Sequence, residues 1–85
     1  MEYMPTVIVV DGFAVRVNIV EDGDGPHVHI VKGRREYRVQ LLSNDAKLMT
    51  MGGWEKTTRA KARRAVEIVR DNLAACWTEW KKWHK

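Results

Sequence analysis

The chain has one cysteine, two prolines and a single phenylalanine among its 85 residues. A lone Cys76 cannot close an internal disulfide, so the fold is expected to depend on its core and the setting to be a reducing cytoplasm. Cys76 lies inside a helical pattern with no general base close by in sequence, which marks it as a small core side chain and not a reactive thiol. Long apolar runs are missing too. Stretches such as Val7 to Val10 fall far short of the ~20 residues a membrane-spanning helix takes. Glu2 stands where a signal peptide needs basic residues, so neither export nor membrane insertion is expected. There is no internal repeat, low-complexity stretch or linker, so residues 1–85 read as a single domain. A domain this small buries only roughly 60–65% of its unfolded surface, so a partner could add usefully to its stability.

The chain does have the composition of a folded globule, with 45% hydrophobic and 31% charged residues. Its net charge of +4 permits nucleic acid or an acidic protein as partner and selects neither.

Two β-branched runs, Thr6 to Val10 and Phe13 to Val20, flank Asp11-Gly12, a dipeptide suited to a two-residue type I′ turn. That hairpin pairs Val10 with Phe13 and Ile8 with Val15. It places Thr6, Ile8, Val10, Phe13, Val15, Val17 and Ile19 on one side, with Arg16 and Asn18 on the other. A second hairpin joins Pro26–Lys32 to Arg35–Leu41 at Gly33-Arg34, where a leading glycine suits a type II′ turn. Its register puts Ile30 opposite Tyr37 and Val28 opposite Val39 on a core face. On a polar face, Val31 meets Glu36, His29 meets Arg38 and His27 meets Gln40. The acidic loop Glu21 to Gly25 between the hairpins is too short and too poor in ligands for a calcium loop.

Lys47 to Met51 is expected to add a fifth strand, ended by Gly52-Gly53. From Thr57 or Thr58 the period changes. Ala62, Val66, Val69, Leu73, Cys76, Trp80 and Trp83 then recur at spacings of three and four, the stripe of one amphipathic helix running almost to the end. The expected fold is α+β: an antiparallel sheet of four or five strands, built from two sequential hairpins, with one long C-terminal helix on one face.

His27 and His29 hold the sharpest chemistry, because residues two apart on a strand project to the same side. Imidazole is the side chain that titrates nearest neutrality, so such a pair can supply a general base and a general acid. With Arg38 holding a phosphate and Gln40 orienting the pair, the group would suit metal-independent cleavage of an RNA phosphodiester. No cofactor is implied. The same histidines are half of a zinc site, but Cys76 lies in the buried stripe and no second His or Cys cluster occurs, so no metal is expected. They also have a plain alternative as partly exposed strand residues that bond their neighbours.

Arg16, Arg63 and Arg64 join Arg38 and Gln40 as candidate phosphate contacts, although a basic helix face is commonly just solvated. Trp77, Trp80 and Trp83 at helical spacing read first as packing. Trp77 lies about 100° around the helix from Cys76. With Trp83 at the end, it is the candidate partner-binding surface, for a second copy or a cognate protein.

Met4-Pro5-Thr6-Val7, Asp11-Gly12-Phe13, Pro26-His27-Val28-His29-Ile30 with Lys32-Gly33, and Trp77-x-Glu79-Trp80 together resemble a family of small bacterial proteins called domain of unknown function family 4160. The likeness runs from Met4 to about Trp80. Between Leu41 and Trp54 the double glycine and methionines depart from the family's usual stretch, and three residues precede its usual start. The resemblance implies the toxin of a bacterial toxin–antitoxin module, encoded beside a small cognate antitoxin. It places the family's histidine pair at His27 and His29 and its helix tryptophan at Trp77.

Overall fold

The computed structural model describes residues 4–19, 23, 25–53 and 59–84. Five strands precede two helices: β1 Thr6–Val10, β2 Phe13–Arg16, β3 His27–Lys32, β4 Arg35–Leu41, β5 Ala46–Gly53, α1 Arg59–Asp71 and α2 Leu73–Trp83. The strands form one antiparallel sheet in the order β1-β2-β3-β4-β5, with β3 at its centre.

Turn chemistry sets both hairpins. Asp11 and Gly12 have φ of 52° and 79°, the paired positive values of a type I′ turn. Gly33 alone is positive in the second turn, at 60°, as a type II′ turn requires at its first central position. The β3–β4 register is the expected one throughout, from Lys32 opposite Arg35 to His27 opposite Gln40. In the first hairpin Val10 meets Phe13 and Ile8 meets Val15, and a bulge between Thr6 and Ile8 then brings Thr6 opposite Arg16. The extra residue inverts the pleat beyond that point, so Thr6 is exposed and not on the core side, while Pro5 is buried. Pro5 keeps the chain in place by accepting a 3.0 Å bond from the Val17 amide.

The core lies between one sheet face and the helices. Phe13, Val15, Val17, Val28, Ile30, Tyr37, Val39 and Leu41 supply the sheet side. Ala62, Ala65, Ile68, Val69 and Cys76 supply the helix side. The helical segment is broken at Asn72, where the sequence pattern implies one continuous rod. The Asn72 side-chain amide donates to the Ile68 carbonyl at 2.8 Å, the acceptor its own backbone N–H would use in an unbroken helix. The backbone N–H turns to Val69 instead, at 3.1 Å. The buried stripe also differs from the expected one: Ala65 and Ile68 are in the core, Trp80 is only half-buried and Trp83 is exposed. The Thr57/Thr58 cap, Trp54 and most of the acidic loop lie outside the described residues.

Arg64 bonds Asp11 in the first turn at 2.6 Å, and Arg70 pairs with Asp45 before β5, so two ion pairs tie α1 to the sheet's loops. Burial pushes the Cys76 thiol up to about 11. Its reaction with a disulfide reagent at pH 8 is therefore expected to run on the order of 100-fold slower than that of a free thiol, until denaturant releases it. Equal rates in folded and unfolded protein would contradict this burial. Among the described residues no helix is long and apolar enough to cross a membrane.

Candidate nucleic-acid interface on the sheet

Because side chains alternate across a strand, a sheet that turns Val28 and Ile30 into the core must turn His27 and His29 to the opposite face. The described helices pack on the core side, and among the described residues the opposite face carries the sheet's own side chains. Registry decides its layout. Arg16 stands opposite His29 across β2–β3, and His29 opposite Arg38 across β3–β4, giving a transverse row Arg16, His29, Arg38 over the central strand. His27 and Gln40 form the next pair along the strands.

Both imidazoles are buried, in contrast to partly exposed strand residues: His27 is 5% exposed and His29 8%. Arg16, Arg38 and Gln40 beside them are half-buried. The two rings lie 5.1 Å apart between centroids and tilt by 52°. Their nitrogens are committed differently. His27 donates from Nδ1 to the Gly25 carbonyl at 2.8 Å, and the Arg38 guanidinium donates to its Nε2 at 3.3 Å. His29 donates from Nδ1 to Glu36 Oε1 at 3.0 Å. Its Nε2 is buried without a hydrogen-bond partner, as is the Arg16 Nε in the same row. Leaving such a buried group unsatisfied costs about 1–3 kcal/mol, a cost that a bound ligand can remove.

Arg63 and Arg64 do not join this face. They lie on α1, which packs on the core side, and Arg64 is already committed to Asp11 at 2.6 Å and Glu67 at 3.5 Å. The Asp11 carboxylate holds the Arg64 guanidinium above its ordinary value, so its charge is balanced locally. The Glu36 tie to His29 was missed by sequence reasoning. The register set Glu36 opposite Val31, and its diagonal reach to His29 was the available signal.

For a metal, the His27 and His29 ring nitrogens start with the right backing, each Nδ1 held by a carbonyl or a carboxylate. The Arg38 cation on His27 Nε2 stands where the ion would have to sit. Among the described residues no group of three His, Cys, Asp or Glu side chains is gathered to complete a coordination sphere.

The tryptophan end forms a separate surface. Trp77 donates from Nε1 to the Leu42 carbonyl at 2.8 Å and meets Trp80 edge-on at 5.9 Å. Trp80 stacks on His84 at 4.5 Å. Trp77 also lines an open concavity of about 530 Å³ with Ser43, Ala74 and Lys81. Trp83 is 37% exposed and donates to Glu79 at 3.2 Å.

Comparison of the chain with family models, with curated proteins and with solved structures finds no match.

Proposed function

We propose that the chain binds RNA across the histidine face of the sheet and acts as the toxin of a bacterial toxin–antitoxin pair in the cytoplasm. The observation that carries the RNA reading is the transverse row, in which two arginines flank a buried imidazole and two of the row's buried nitrogens have no partner. Phosphate supplies the acceptors that guanidinium groups take in charge-assisted bonds, and the chain's net charge of +4 favours the approach of a polyanion. The toxin role rests on the resemblance to domain of unknown function family 4160, which also supplies the small cognate antitoxin as partner.

A second reading is a non-catalytic interaction module with structural histidines. Its support is the exposed Trp83 and the concavity beside Trp77, which offer aromatic surface to a cognate protein or a second copy. Expression of the chain in bacteria, alone and with the gene beside it, separates the two. Growth arrest relieved by the neighbour is the expected result for a toxin, and unaffected growth in both arms counts against it. In vitro, RNA binding should weaken steeply as salt rises, since each neutralised phosphate releases condensed counterion. A flat salt response, or no binding at low salt, removes the RNA reading.

A further inference from the structure

We propose that His29 Nε2 is the base that takes the proton of an RNA ribose 2′-hydroxyl, with Glu36 as its positioning residue and Arg16 and Arg38 holding the adjacent phosphate; this rests on the RNA reading above. The assignment follows from which atoms already have partners. Glu36 is a carboxylate acceptor at 3.0 Å from His29 Nδ1, so Nδ1 carries the hydrogen and, in the neutral ring, Nε2 presents a lone pair. That nitrogen is buried, unpartnered and set in a side chain only 10% exposed. In that neutral form the missing partner is a donor.

The flanking groups ask for the opposite. Arg16 and Arg38 are donors only, and the buried Arg16 Nε has no acceptor. A ligand that satisfies the row needs a hydroxyl donor beside an anionic acceptor. The 2′-hydroxyl next to the 3′-phosphodiester of RNA has that pairing, and DNA lacks the hydroxyl. Movement of the two arginine side chains onto the phosphate would open a path to Nε2.

His27 has another part. Both its nitrogens are engaged, by the Gly25 carbonyl and by Arg38, so it acts as a positioning residue for the Arg38 guanidinium. The two histidines are thus not an interchangeable acid and base. In the reaction, His29 Nε2 removes the 2′-hydroxyl proton as O2′ attacks phosphorus. The O2′–P bond forms and the P–O5′ bond breaks. O5′ leaves with a proton from a water molecule, and the proton on His29 passes to solvent as the resulting hydroxide is neutralised. The products are a 2′,3′-cyclic phosphate end and a 5′-hydroxyl end, with no oxidation or reduction.

The test uses the full chain with an oligoribonucleotide and the deoxyribonucleotide of the same sequence at low salt. The ribo strand should bind more tightly and be cut to a 2′,3′-cyclic phosphate, while the deoxy strand stays intact. Glu36→Gln, a half-exposed site whose replacement spares the core, should lower the cleavage rate by about 10- to 100-fold and change its pH profile, with Glu36→Asp restoring part of it. His29→Ala should lose about 10²- to 10⁴-fold if it folds. Cleavage that survives Glu36→Gln with rate and pH profile unchanged overturns the proposal, as does ribo binding without cleavage. Equal binding of both strands without cleavage defeats this inference and leaves RNA binding standing, whereas no binding of either strand defeats the RNA reading itself.

Discussion

Tyr37→Ala is expected to lower the free energy of unfolding by about 3–5 kcal/mol, the range for deleting a buried aromatic ring. Tyr37 is 1% exposed and heads the fully buried side chains by volume. It sits on β4 between Ile30 of β3 and Met51 of β5, with its ring centroid 6.2 Å from that of Phe13. Removing it leaves a cavity under three strands at once. A domain of 85 residues commands only about 4–13 kcal/mol in total, so this single change takes a large share of it. A melting temperature lower by about 15 °C or more, followed by circular dichroism, is the expected readout. Val9→Ala is the control: Val9 is 61% exposed on edge strand β1, and its truncation should stay within about 0.5 kcal/mol. A loss under about 1 kcal/mol for Tyr37→Ala would mean the core does not centre on this ring.

The position of Tyr37 was legible in the sequence because Gly33-Arg34 fixes the turn, and a fixed turn fixes every pair out to His27 and Gln40. The same logic carried the first hairpin only as far as Ile8. The bulge beyond it has no mark in a run of five β-branched residues, since Val7 and Ile8 suit either face equally. The helix break was likewise hidden. Asn72 falls between two stripes whose spacing alone permits a continuous rod, and only its side-chain bond to Ile68 decides otherwise. At the candidate site, placing His27 and His29 side by side needed no more than strand alternation. Their unequal hydrogen bonding needed coordinates, because it depends on where a loop carbonyl at Gly25 and a diagonal carboxylate at Glu36 come to rest.

Arg16 and Arg38 stand in one row with His29 on the sheet, whereas Arg63 and Arg64 lie on α1. Arg16→Gln together with Arg38→Gln is expected to weaken RNA binding at low salt by about 10²- to 10⁴-fold, taking about 1.5–3 kcal/mol for each lost charge-assisted bond. The dependence of log affinity on log salt should fall by about 1.4, or 0.7 for each phosphate contact on a single strand. Glutamine keeps polar bulk beside the imidazoles, which limits the disturbance to His27, the acceptor of an Arg38 bond. Arg63→Gln with Arg64→Gln removes the same formal charge from α1. Any contribution from Arg64 to binding is offset by Asp11 and Glu67, which already hold its guanidinium, and α1 lies on the other layer of the fold. Its effect should be about threefold or less, of the size that long-range charge alone produces across a screened surface. The two double variants are matched in net charge, so total charge predicts equal losses and the transverse row predicts unequal ones. Filter binding at several salt concentrations reads both quantities. Equal weakening by the two would assign the affinity to overall charge and detach it from the Arg16, His29, Arg38 row.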